Sequence, residues 1–259
     1  MLSLCCVLAG EHAAAHTQWQ LANGEWPPYQ SASLPRYGFA SAVVSEAASL
    51  AGIRVRYDFY PWRRAEEMVR NGHIDGSLVW SSTPLRDNFA VFSDPIFSDR
   101  EVVIHRTDLA LPDWPQRHNW QSVTLALPLG SRTFHELVRL ERQGRVEYLR
   151  VESPQNGLRM ILAGRVQAMT LAESVYRQLR RQYLSADEQR LLTILPTALE
   201  TVSFRVMLSR SRPQATARLA AFNRGLQQLR QNGRYAQLAQ QLLPPDTTQH
   251  ASSSKAVAP

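Results

Sequence analysis

The alternation of two hydrophobic periods between residues 18 and 80 constrains this chain more than any other feature. Residues 18–22 read as a short strand. From 38 to 50, apolar residues recur at helical spacing (Phe39, Val43, Val44, Ala47, Leu50), and Gly52 ends the run. Residues 53–57 alternate as a strand. Residues 62–70 return to the helical period and stop at Asn71-Gly72, and 74–80 form an apolar strand. This β-α-β-α-β order requires a parallel sheet with helices on its faces, because parallel neighbours can be joined only by a crossover.

The pattern then starts again. A strand at 101–104 leads into a Pro-rich connection at 109–119. Strands at 123–127, 146–151 and 166–171 alternate with helices at 132–143, 153–163 and 173–184. Pro154 fits the first position of the second of these helices. Strands at 191–195 and 201–208 follow, the second long enough to run back into the first unit. Helices at 215–230 and 235–243 close the body, the first with Leu219, Phe222, Leu226 and Leu229 on one stripe. The tail, 244–259, is small and polar and reads as disordered. Two successive α/β units in 259 residues predict two lobes.

Residues 74–95, IDGSLVWSSTPLRDNFAVFSDP, hold the densest local chemistry. An apolar strand ends in a hydroxyl-rich turn. Thr83 can cap a short helix and Pro84 fits its first position. Arg86 falls in the first helical turn, where the helix dipole disfavours a cation, so an anion is expected opposite it. A strand end, two hydroxyls and a guanidinium fork suit a carboxylate. The structural alternative is an ion pair with Asp87 or Asp94.

Composition removes several function classes. The chain is 44% hydrophobic, enough for real cores, and carries a formal charge of +7. Its basic residues are mostly Arg, interleaved with Asp and Glu along helices. There is no long basic run and no zinc-finger or RNA-motif signature, so solvated helix faces are favoured over a nucleic-acid partner. No His pairs with Cys or Glu at metal spacing; His135-Glu136 are helix-face neighbours. There is no nucleophile-elbow serine, no GxGxxG and no P-loop, and hence no indication of catalysis or of a cofactor. The only cysteines, Cys5 and Cys6, lie in the apolar run MLSLCCVLAG. That run is too short to span a bilayer, which takes about 18 or more apolar residues. Together with Ala13-Ala14-Ala15 it reads as a signal-peptide remnant over residues 1–17, cleaved near Ala15. An exported, periplasmic protein is expected.

A series of short motifs resembles one family. They are Trp26-Pro27-Pro28-Tyr29, then Asn71-Gly72-His73-Ile74-Asp75, then Thr83-Pro84-Leu85-Arg86 with Phe92-Ser93-Asp94-Pro95. Further on come Leu129-Gly130-Ser131, Gly164-Arg165-Val166-Gln167-Ala168, Ala221-Phe222-Asn223 and Asn232-Gly233-Arg234-Tyr235. In this order and spacing the chain, from Gln18 to Leu243, resembles the bacterial extracellular solute-binding proteins of family 3. Tyr60-Pro61-Trp62-Arg63-Arg64 resembles a subgroup of it whose ligand is undefined.

The resemblance implies an α/β, two-lobe, type II periplasmic-binding-protein-like fold, with two doubly wound sheets joined by a two-strand hinge. Lobe one would hold 18–103 and 203–243, and lobe two 104–202. The chain would cross between them near 100–106 and 197–205. A small ligand, usually an amino acid, would be captured by hinge closure. Arg86 matches the arginine that binds the ligand carboxylate, and Ser81 falls where relatives offer a hydroxyl. Trp26 matches an aromatic that packs on the ligand. Trp62 is a competitor for the pocket wall, as is Tyr60, whereas Tyr29 is the better candidate for the core. Gly130, Ser131 and Arg132, at a strand-to-helix turn, would supply N–H groups and a second cation. Where amino-acid binders carry an aspartate for the ligand ammonium, this sequence has Ala172. Glu173, one residue on, could replace it only if the loop shifts. Two arginines and no aligned acid suggest an anionic or amine-free ligand.

The resemblance thus implies a monomeric periplasmic protein that delivers an amino acid or organic acid to an ABC transporter permease. One alternative is a ligand sensor for a separate membrane signalling partner. Another is an exported cyclohexadienyl-dehydratase-like enzyme using Glu173 or Glu25 as general acid.

Overall fold

The computed structural model of the protein describes residues 17–129 and 133–243. Residues 1–16 of the predicted signal remnant, the turn at Gly130, Ser131 and Arg132, and the tail from 244 lie outside the described residues, while Thr17, the last residue of that predicted remnant, begins the first strand.

The first α/β unit forms where the periodicities place it. Strand β1 (Thr17–Asn23) is followed by helix α1 (Phe39–Leu50), strand β2 (Ile53–Phe59), helix α2 (Trp62–Arg70) and strand β3 (Gly76–Trp80). Next come a four-residue helix α3 (Pro84–Asp87), a short strand β4 (Ala90–Phe92) and the ten-residue strand β5 (Phe97–Arg106). The second unit is β6 (Val123–Pro128), α4 (His135–Arg142), β7 (Val146–Val151), α5 (Pro154–Leu162), β8 (Ala168–Ala172) and α6 (Glu173–Tyr183). Helix α7 (Ala186–Arg190) and strand β9 (Leu192–Ile194) lead to the second ten-residue strand, β10 (Glu200–Ser209). Helices α8 (Ala215–Gln231) and α9 (Arg234–Leu242) close the described chain.

The strand order is β2-β1-β3-β10-β5-β8-β6-β7, with β4 on β10 and β9 on β5. Strand β1 runs parallel to β2 and β3, and β6 runs parallel to β7 and β8, as crossover helices require. The two groups meet through one antiparallel ladder, from Phe97 opposite Phe204 to Glu101 opposite Glu200. Beyond it, β5 pairs with β8 from Glu101 to His105, and β10 pairs with β3 from Arg205 to Leu208. The two sheets are therefore continuous through β5 and β10. The sequence shows only part of this, because the 101–104 run is the apolar end of a longer strand whose first half is polar.

Each strand group is buried on both faces. Leu21 and Trp19 pack with Phe39, Val43, Phe222 and Leu226, while Ala22 faces Val69, Ile74 and Met207. On β5, Val102 and Ile104 join a core with Leu158, Ile161 and Met169, and Val103 joins a different one with Trp120, Leu125 and Leu137. This alternation is the period of two of a strand covered on both sides. Helices α1 and α8 approach closely at Gly225, where a Cβ would lie 2.1 Å from the Ala47 carbonyl oxygen. Among the described residues no helix is long and apolar enough to cross a membrane.

Candidate functional site

The joint ladder floors a cleft of about 440 Å³. Its walls come from the loop after β1, the start of α2, the end of β3, the end of β8 and both ten-residue strands.

The end of β3 is shaped by a bulge. Arg205 pairs with Trp80 and Val206 with Leu78, so Val79 is the extra residue between them. Val79 has φ of 65°, the left-handed region that a β-branched residue rarely occupies. Such strain concentrates where the surrounding fold demands a particular direction. Here Val79, Trp80 and Ser81 all line the cleft. Trp80 is then fixed by its indole N–H, which donates to the Ser77 hydroxyl at 2.7 Å.

Thr83 caps α3, accepting from the Arg86 backbone N–H at 3.3 Å, with Pro84 at the first helical position. The Arg86 side chain reaches back over Trp80, 4.6 Å from the ring centroid, and donates to the Ser81 carbonyl at 3.2 Å. Its acidic neighbour is Glu66 of α2, 3.4 Å from Nε, rather than Asp87 or Asp94. Asp87 instead accepts from the Ser82 hydroxyl, and Asp94 uses its backbone N–H toward Asn223. Among the described residues Nη2 of Arg86 donates no hydrogen bond, whereas Nη1 is held by the Ser81 carbonyl and the side chain lines the cleft.

Trp26 and Trp62 line the same cleft. Trp26 packs edge-on to Phe204 at 4.9 Å, and Trp62 edge-on to Trp80 at 5.5 Å. Trp62 fits because residue 24 is glycine: a Cβ there would lie 3.1 Å from the indole. Tyr29 is 2% exposed and stacks on Phe97 at 3.9 Å, a core position as its sequence context suggests.

Arg86, Ser81, Trp26 and Trp62 are therefore brought together, and Ala172 lines the cleft beside them. Ser131 and Arg132 lie outside the described residues. Glu173 does not join them. It begins α6 with 0% exposure, and its carboxylate pairs with Arg100 at 3.1 Å and with Arg177 of its own helix through Nε at 3.0 Å. Glu173 is the buried acid of an ion-pair cluster with Arg100 and Arg177, which are themselves about 30% exposed, and it is not on the cleft lining.

The cleft nevertheless contains acids. Among the described residues Glu25, Asp99 and Glu101 line it together with Arg86. Asp99 and Glu101 are two apart on β5 and so share a face, with Arg100 on the other face reaching Glu173. Asp99 is 3% exposed and accepts from the Tyr29 hydroxyl at 3.0 Å, the Ser174 hydroxyl at 2.5 Å and the Arg100 backbone N–H at 2.8 Å. Burial raises its pKa above the ordinary value, and the hydroxyl donors oppose that shift. Burial also raises the Tyr29 phenol well above its usual value, helped by the Asp99 charge. The absence of an acid at 172 is therefore not an absence of acid from the cleft. Asp99, Glu101, Trp80 and Phe204 have no place among the sequence candidates. The available signal is the polar alternation Asp99, Glu101 within a strand that has to cross between the two units. Among the described residues no group of His, Cys, Asp or Glu is arranged to hold a metal ion.

Comparison with known proteins agrees with the architecture. The profile of the bacterial extracellular solute-binding proteins, family 3, matches residues 21–244. No curated protein matches the sequence. Among solved structures, the GluR0 ligand-binding core from Nostoc punctiforme, in complex with L-glutamate, superposes with a TM-score of 0.66. It is 17% identical, over 88% of this chain and 100% of that one. A histidine kinase sensor domain with similarity to periplasmic binding proteins also reaches 0.66, at 17% identity over 88% and 97%. The substrate-binding protein of an amino acid ABC transporter reaches 0.61, at 16% identity over 86% and 98%. At these identities the likeness shows a shared fold.

Proposed function

The chain belongs to the bacterial extracellular solute-binding proteins, family 3, and we propose that it captures a small carboxylate-bearing ligand, an amino acid or related anion, for delivery to an ABC importer in the periplasm. One observation carries this reading: Arg86 stands in the wall of a 440 Å³ cleft, over a Trp ring, with its Nη2 donating no hydrogen bond among the described residues. A guanidinium fork placed that way offers a carboxylate two charge-assisted bonds. The cleft lies across the joint ladder, so a ligand touching Arg86 on one side and the β8 end on the other gains most in a closed state. That difference in contact is what drives closure. The division into lobes at 18–103 with 203–243 and at 104–202 belongs to the same reading, as do export and a monomeric state.

The likeness to a histidine kinase sensor domain favours a second reading, in which the same cleft reports occupancy to a membrane signalling partner. Both readings share the ligand site. The dehydratase alternative loses Glu173, which is sequestered by Arg100 and Arg177, and retains Glu25 at the exposed rim.

A thermal-shift screen of the full chain against amino acids, organic acids, polyamines and small peptides tests the proposal. A ligand present at a hundred times its dissociation constant adds about 2.7 kcal/mol, a shift of several degrees. Arg86→Ala is expected to abolish the shift and to leave the ligand-free melting temperature nearly unchanged. A ligand bound equally well by Arg86→Ala contradicts the site.

A further inference from the structure

We infer that Tyr29, Asp99 and Ser174 form a hydrogen-bonded tie across the joint, which holds the two walls of the cleft at one separation in the ligand-free protein. The inference rests on the two-lobe division proposed above and adds a device that sets the resting angle between the lobes.

The tie is built around one oxygen. Oδ2 of Asp99 accepts from the Tyr29 hydroxyl at 3.0 Å and from the Ser174 hydroxyl at 2.5 Å, while Oδ1 accepts from the Arg100 backbone N–H at 2.8 Å. The two hydroxyls come from opposite groups. Tyr29 lies in the loop between β1 and α1, and Ser174 is the second residue of α6. Asp99 stands between them on the joint ladder, opposite Val202 of β10. All three side chains belong to residues only 2–3% exposed, where the low dielectric strengthens a hydrogen bond.

Strand register explains how Ser174 is reached. Strands β5 and β8 pair with Glu101 opposite Ala172. There β8 ends and α6 begins, but the side chains carry the order on: Arg100 meets Glu173 in an ion pair at 3.1 Å, and Asp99 meets Ser174. Both contacts hold the first turn of α6 to β5. The Arg100 guanidinium also donates to the Pro196 carbonyl, within the second group, whereas Asp99 reaches Tyr29 in the first.

Each end of the tie reaches the cleft. Tyr29 packs edge-on against Trp26 at 5.2 Å, and Val175 follows Ser174 in the chain; Trp26 and Val175 both line the cleft. Turning the lobes apart about β5 and β10 separates Tyr29 from Ser174, and one carboxylate oxygen cannot then hold both. Opening therefore breaks a hydrogen bond to a charged acceptor, an interaction that moves an equilibrium by about tenfold to a hundredfold.

Small-angle X-ray scattering from the ligand-free full chain tests this on wild type, Tyr29→Phe, Ser174→Ala and the double variant. Tyr29→Phe keeps the ring that stacks on Phe97 at 3.9 Å, and each substitution removes a single hydroxyl. In each single variant the radius of gyration is expected to shift upward by about 1 Å, against roughly 18 Å for a compact chain of this length. The double variant is expected to expand no further than either single one, because the two bonds act in series. Equal radii in wild type and all three variants overturn the inference. Expansion in one single variant without the other also overturns it, since a serial tie is cut equally at either end. Loss of the compact scattering profile overturns it as well, because the hydroxyls would then hold the fold and not the angle. The thermal-shift screen reports ligand capture separately, so the solute-binding reading stands or falls on its own.

Discussion

The two sides of the cleft are built in opposite ways. The Arg86 side is local: bulge, turn, cap and guanidinium all come from residues 77–87, and their order in sequence is their order in space. The β5 side is assembled from a distance. Asp99 takes hydrogen bonds from residues 70 and 75 positions away, and Glu101 meets Ala172 across a ladder. A side made of one contiguous stretch can present a rigid, strained geometry, as the left-handed Val79 shows. A side made by strand pairing places charge where the two strand groups join. The first is fixed by local geometry, and the second by the register between distant strands.

This contrast can be broken at several points. The largest effect is expected at Glu173, the acid behind the β5 side. Glu173→Gln removes the ion pairs with Arg100 and Arg177 from a fully buried carboxylate, each arginine being about 30% exposed. A loss of about 2–3 kcal/mol in denaturant unfolding is predicted, with ligand affinity within threefold of wild type. A large change in affinity with little loss of stability would return Glu173 to the binding site. A smaller effect is expected at Asp99. Its folded-state pKa lies above its ordinary value of 3.8, so the unfolded chain releases this proton first as pH rises. Stability from this group is full below the ordinary value and is lost as pH climbs toward the raised one. Relative to Asp99→Asn, wild type should therefore lose stability from about pH 4 upward. A parallel pair of pH–stability curves would show that Asp99 is not held in that state. The smallest effect is expected at Glu66, which only braces the anchoring side. Glu66→Gln should change stability by about 0.5 kcal/mol and affinity by less than threefold. A tenfold tightening would mean that Glu66 competes with the ligand for Arg86.

The same contrast explains what could be read from the sequence. The β-α-β alternation fixes the parallel strands because period and turn chemistry are local properties, and Thr83, Pro84 and Arg86 are recognisable for the same reason. Trp26 and Trp62 follow from short motifs. Strand β4 and helix α7 are too short to carry a period. The burial of Glu173 depends on the rotation of α6 against β5, and the acidity of the cleft on the register of β5 against β8. Neither is encoded in any one segment. The expectation of an amine-free ligand rests on Arg86, Arg132 and the single position 172. The neighbouring strand, which sequence does not align with it, supplies carboxylates to the same wall.

The most direct measurement is a calorimetric titration of wild type and Arg86→Ala with the tightest carboxylate that the thermal-shift screen returns. If Arg86 anchors the ligand carboxylate, Arg86→Ala weakens binding by about a hundredfold or more while its unfolding midpoint stays near that of wild type. An unchanged affinity in Arg86→Ala would contradict the proposed site.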